Sequence, residues 1–169
     1  MIVGGLRRRM IKENLYLMLK QSLTDLGWFN SSLVEHPLEL LTEPISNPQE
    51  IKPNKIAISA EELSSMEWEL GSNLDEYMWD IYLDIFTEDE STGLHLSGDI
   101  YDILRGKMAS IGRTGPTLEV YSLLDDAQPY LFTCELRNID VSRVREWNKD
   151  YSQYWWVVGM SVIDYYYGE

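Results

Sequence analysis

The C-terminal stretch YWWVVGMSVIDYYYGE, Tyr154 to Glu169, decides how this chain folds. Successive side chains of a strand point to opposite sides of a sheet, so a strand packed on a core from one side alternates apolar with polar. Here both sets are apolar. One carries Trp155, Val157, Ile163, Tyr165 and Tyr167; the other carries Tyr154, Trp156, Val158, Met160, Val162 and Tyr166. At about 3.3 Å per residue such a strand spans roughly 40 Å, longer than usual. Helices on one side of a sheet cover one of these faces. The other needs either a loop of the same chain or another subunit, since burying each large aromatic is worth roughly 2–3 kcal/mol. We expect another subunit over part of it.

Working back along the chain, LEVYSLL from Leu118 and YLFTCELRNIDV from Tyr130 read as two further strands, turning at Asp125, Asp126 and Pro129, so that 117–167 is a run of C-terminal strands. In the second, Tyr130, Phe132, Cys134 and Leu136 point inward, with Cys134 a small core residue; SRVREWNKDYSQ reads as a short helix or loop before the last strand. Upstream, Ser97 can cap a helix over 97–108 whose Leu96, Ile100, Ile103, Leu104 and Met108 form an apolar stripe. The following GKMASIGRTGP is not a phosphate loop. Five residues instead of four separate Gly106 from Gly112, Arg113 stands where lysine is required, and the order is helix then strand. Arg105, Lys107 and Arg113 form a local basic patch, by default a solvated one, suited otherwise to a carboxylate partner or a passing phosphate.

Over 55–87, KIAIS and then MEWELGSNLDEYMWDIYLDIFT read as a short strand and a hairpin turning near Gly71, Ser72 and Asn73. The second arm puts Tyr77, Trp79, Ile81, Leu83 and Ile85 on one side and Glu76, Asp80 and Asp84 on the other. Four residues of strand separate successive carboxylates by about 13 Å, too far to share one ion, so a solvated acidic face is expected. Glu88, Asp89 and Glu90 read as a loop in water. Between 35 and 54, Pro37, Pro44, Pro48 and Pro53 define a long loop, either plainly disordered or an arm toward a partner, and the candidate cover within the chain for the last strand. Residues 5–26 read as an amphipathic helix ending at Gly27; Arg7, Arg8 and Arg9 near its N-terminus oppose the helix dipole and form either a solvated basic turn or a contact to an acidic surface.

Composition bounds the rest. A length of 169 residues suits one domain, and 44% hydrophobic with 12% aromatic residues excludes a disordered chain. No apolar run is long enough to span a membrane, and MIVGGLRRRM lacks a secretory signal's apolar stretch, so intracellular synthesis is expected. The lone Cys134 forms no internal disulfide, and His36 and His95 lack metal-ligand spacing. A net charge of −14 argues against general nucleic-acid binding. The head is nonetheless basic, with Arg7, Arg8, Arg9, Lys12 and Lys20 against Glu13 alone in the first twenty residues. The expected fold is α+β: a single, mostly antiparallel sheet of about five strands, two main helices packed on it, and the Pro-rich loop after the first helix.

The order helix, Pro-rich loop, WELGSN, IYLDIFTE, DIYDILRGKMASIGRT, LEVY, LFTCELRNIDVSRV and WWVVGMSVIDYYYGE resembles the tail terminator proteins of long-tailed bacteriophages, especially those of actinobacterial phages. The likeness covers the first helix and nearly everything from Glu67 onward; 35–54 has no counterpart. It implies a structural, non-enzymatic virion protein at the head–tail junction, assembled in the host cytoplasm, without cofactor or membrane. A hexameric ring would cap the tail tube, stop its polymerisation and meet a head-completion or neck protein, with DNA passing the lumen unbound. On that reading Arg7, Arg8, Arg9, Trp155, Trp156, Tyr165 and Tyr166 are candidates for subunit or neck contacts. Glu76, Asp80 and Asp84 are candidates for an acidic lumen wall that repels phosphate. The alternatives are a neck or head-completion connector and, from another class, a metal-dependent hydrolase built on the acidic strand.

Overall fold

A computed structural model describes residues 4–30, 38–44, 54–67, 74–107, 115–144 and 154–167. The elements in chain order are α1 (Gly4–Asp25), β1 (Glu39–Leu41), β2 (Lys55–Glu67), β3 (Leu74–Thr87), α2 (Glu90–Leu104), β4 (Thr117–Tyr121), β5 (Tyr130–Arg143) and β6 (Tyr154–Tyr167). The strands make one sheet in the order β1-β2-β3-β6-β5-β4. The β1–β2 pair is parallel and all others are antiparallel. The architecture is thus α+β with two helices and a six-stranded mixed sheet.

Four expected boundaries are corrected. KIAIS and the first hairpin arm are one continuous strand, β2, of 13 residues, paired along its length with β3. Its turn and Gly71 to Asn73 lie outside the described residues. The stretch expected as a Pro-rich loop contains an added edge strand, β1, whose Leu40 and preceding Leu38 are buried; 31–37 and 45–53 lie outside the described residues. The second helix starts seven residues before Ser97 and stops at Leu104 instead of 108. Asp89 is its N-cap, accepting the Thr92 backbone N–H at 2.8 Å, while Ser97 is 1% exposed inside the helix and donates to the Leu94 carbonyl. The acidic run is therefore a helix start and not a solvated loop, because a carboxylate satisfies the free N–H groups of a first turn.

Both helices end alike. Gly27 (φ 85°) and Gly106 (φ 68°) adopt the left-handed conformation that closes a helix C-terminus. The bonds of that motif follow: Trp28 N–H to Leu23 and Gly27 N–H to Thr24 in α1, Lys107 N–H to Asp102 and Gly106 N–H to Ile103 in α2.

Both helices cover the same face of the sheet. Met10, Ile11, Leu15, Leu19 and Leu23 of α1 and Leu96, Ile100, Ile103 and Leu104 of α2 share one core with Ile56, Ile58, Trp79, Ile81, Leu83, Ile85, Trp156, Val158, Met160, Val162 and Leu136. Cys134 is fully buried there, while Tyr130, expected inward, is 56% exposed at the start of β5. The last residue of the edge strand β4 is capped by a side chain that breaks the apolar stripe of α1. Asn14 accepts the Tyr121 backbone N–H at 3.1 Å and donates to the Tyr121 carbonyl at 2.9 Å, occupying both backbone groups as a neighbouring strand would.

Candidate functional site

The register divides β6 into two unlike faces. Trp156, Val158, Met160 and Val162 face the helices, and the far face carries Trp155, Val157, Gly159, Ser161 and Ile163. The cross-strand partners of that second set are Phe86, Asp84, Tyr82, Asp80 and Met78 on β3, and Ser142, Asp140, Arg137 and Glu135 on β5. The far face is therefore mixed, with an acidic middle. The expectation of two apolar faces is corrected at Gly159 and Ser161.

Trp155 and Trp156, both assigned to packed contacts, lie on opposite sides. Trp156 is 9% exposed and belongs to the core. Its indole N–H is buried against Gly93 of α2, without a hydrogen-bond partner among the described residues. Trp155 is half-buried on the far face, stacks on Phe86 with ring centroids 5.4 Å apart, and donates its indole N–H to Asp84 at 2.9 Å. Partial burial pushes the Asp84 carboxyl above the usual aspartate range, and the Trp155 bond opposes that shift. Asp80 accepts from the Ser161 hydroxyl at 3.2 Å and from the Tyr82 hydroxyl at 3.3 Å. Asp140 is exposed beside Gly159, where an added methyl would stand 2.9 Å from its Oδ1 and 3.6 Å from the Tyr82 ring. No cation forms an ion pair with Asp80, Asp84 or Asp140 among the described residues.

A β-bulge puts Asp140 in this group. Between the pairs Arg137–Ser161 and Asp140–Gly159, β5 uses one residue more than β6, and Asn138 takes the strained φ of 52°. Without the extra residue, strict alternation would point Asp140 toward the helices. Asparagine tolerates the left-handed region better than most residues, and Asn138 also donates to the Ser161 hydroxyl at 3.5 Å.

The basic head is largely neutralised within the chain. Arg7 is not a surface residue: at 8% exposure it makes a two-pronged pair with Asp164, Nε to Oδ2 at 2.7 Å and Nη2 to Oδ1 at 2.6 Å. The guanidinium also lies 3.7 Å from the centroid of the Phe132 ring. This clasp sits at a fork in the sheet. After the Glu135–Ile163 pair, β5 leaves β6 and continues against β4, while β6 continues against β3. Arg9 is paired with Glu13 at 2.7 Å, which raises its pKa, and Lys12 reaches Glu43 at 3.6 Å. Arg8 is half-buried, 5.9 Å from the Trp79 ring centroid.

At the end of α2, Arg105 is exposed and bonded to the Tyr101 hydroxyl at 3.1 Å, and Lys107 is exposed near Asp102 at 3.5 Å. Arg113 lies outside the described residues. The backbones of Glu76, Tyr165 and Tyr166 are in β3 and β6, with Glu76 opposite Tyr165, and their side chains are outside the described part. The structure thus brings together Asp80, Asp84 and Trp155 of the predicted residues, and adds Tyr82, Asp140, Ser161 and Asn138. Asp164 was also missed, although a lone carboxylate in an apolar strand signals a buried partner. Among the described residues no group of three or more His, Cys, Asp or Glu could hold a metal ion, and no helix is long and apolar enough to cross a membrane. No protein-family model matches the chain, and comparison with curated proteins finds no relative.

Proposed function

We propose that this chain is a structural virion protein, a tail-terminator-like subunit that forms a ring on the head-proximal end of a long phage tail tube. There it stops tube polymerisation and presents the surface to which the filled head attaches. The sequence resemblance supports this reading. The observation that supports it from the structure is the uneven cover: both helices lie on one face of the sheet, and on the other Phe86 and Ile163 are buried while Trp155 and Val157 are half-buried and Tyr82 is 37% exposed. A neighbouring copy would cover that face, and a closed ring joins one patch to a different patch without a growing end. In this reading no side chain is assigned to catalysis and no cofactor is needed. The acid surplus keeps a passing duplex from adhering.

The test is the mass of the purified chain with and without tail tube protein, beside the length of tails assembled without the chain. Ring formation on the tube and overlong or headless tubes are expected. Normal tails with unstable heads would instead identify a neck or head-completion protein, and metal-dependent turnover would identify an enzyme.

A further inference from the structure

We propose that the far face of the sheet receives the C-terminal end of α2 from a second copy of this chain, Arg105 and Lys107 meeting the carboxylates of Asp80, Asp84 and Asp140. This deepens the ring reading and rests on it. The three carboxylates share one face, and their bonds go to hydroxyls and an indole N–H. Two cations on that face, Arg137 and Lys55, are paired with Glu135 at 2.9 Å and Glu39 at 2.8 Å. Asp84 is half-buried and Tyr82 and Trp155 flank the group, so an incoming guanidinium would find both acceptors and ring faces.

The chain offers few complementary surfaces. Of the basic residues of α1, Arg7, Arg9 and Lys12 are paired with Asp164, Glu13 and Glu43, Arg8 is half-buried near Trp79, and Lys20 lies over the Phe29 ring. Between Ile103 and Leu118 the sequence carries Arg105, Lys107 and Arg113 and no acidic residue. The first two are exposed at a helix C-terminus, Arg105 bonded to the Tyr101 hydroxyl and Lys107 3.5 Å from the exposed Asp102 carboxylate. Because α2 packs on the covered side of the sheet, a chain cannot bring this end to its own far face. Unlike patches on opposite sides of one subunit give a head-to-tail contact, the kind that closes into rings. This places Asp80 and Asp84 at a subunit contact, and not on the lumen wall.

Two charge-reversed variants of the full chain test it, Arg105→Glu with Lys107→Glu, and Asp80→Lys with Asp140→Lys. Native mass and sedimentation are read with and without tail tube protein, and circular dichroism checks the fold. Wild type should assemble, and assembly should weaken as salt rises. Each variant alone should need at least about tenfold more protein to assemble. Mixed, the two should assemble again as alternating subunits, since each native patch meets its native complement and the two reversed patches carry opposite charges. If a reversal unfolds the chain, Arg105→Gln and Asp140→Asn are used, with the same direction and a smaller effect. Wild-type assembly by both variants overturns the docking and leaves the ring reading standing; greater DNA retention by Asp80→Lys rings of unchanged mass does so too, returning the acids to the lumen. A wild-type chain that stays monomeric both alone and on the tube overturns both.

Discussion

Asp164 and Asp84 lie on the two neighbouring central strands of one sheet and meet opposite fates. Asp164 faces the helices, is 1% exposed, and is gripped by Arg7 from the far end of the sequence. Asp84 faces away, is half-buried, and has an indole N–H for its partner. On the covered side water cannot reach a carboxylate, so the ion persists only with a counter-ion and good geometry. On the far side water does part of the work, and an unpaired acid costs less. The contrast separates a carboxylate that holds the fold from one that water and an indole N–H serve.

The largest expected effect breaks the clasp. Arg7→Met leaves Asp164 buried with its counter-ion gone and should cost about 3–5 kcal/mol in urea unfolding. Arg7→Met with Asp164→Leu should recover most of that loss. If the single variant is as stable as wild type, the two faces do not differ as described.

Two glycines sharpen the comparison. An added methyl at Gly93 would stand 2.2 Å from Trp156 Nε1, in a packed core that cannot yield. Gly93→Ala should therefore lower stability by about 1–3 kcal/mol despite alanine's better helix propensity. At Gly159 the nearest obstacle is the exposed Asp140 carboxylate, which can swing aside. Gly159→Ala should cost less than about 1 kcal/mol, and equal losses at both sites would erase the distinction.

The smallest effect is a gain with a pH signature. Asp84 has a raised pKa in the folded chain, so between the ordinary aspartate value and that raised value the folded state holds more protons than the unfolded state. Stability contributed by this group is then lost as pH rises through the window. Asp84→Asn keeps an acceptor for Trp155 and removes the ion. Its melting temperature should exceed that of wild type at neutral pH, with the difference shrinking as pH falls through the window. A constant difference across that range would show that charge is not the cause.

Much of this was legible in the residues. The alternation in β3 identified Trp79, Ile81, Leu83 and Ile85 as core and Asp80 and Asp84 as the other face, because a strand's side-chain period is fixed by its backbone. Gly27 marked the end of α1 for a comparable local reason. The start of α2 was misplaced because Ser97 and Asp89 are both competent caps, and packing on the sheet decided between them. The strand β1 was hidden because three residues among prolines have no periodicity, and its partner β2 supplies the reason to be extended.

By itself, the sequence determined the α+β class, the two helices, the alternating strand and the acidic surplus, all of which follow from local periodicity, capping and charge. Only the tertiary structure decided which arginine is buried, which tryptophan is core, and that Asp140 shares a sheet face with Asp80 and Asp84. Those outcomes depend on register. A single extra residue at Asn138 reverses the direction of the side chains beyond it, and Arg7 meets Asp164 only after the sheet has brought together residues 157 positions apart.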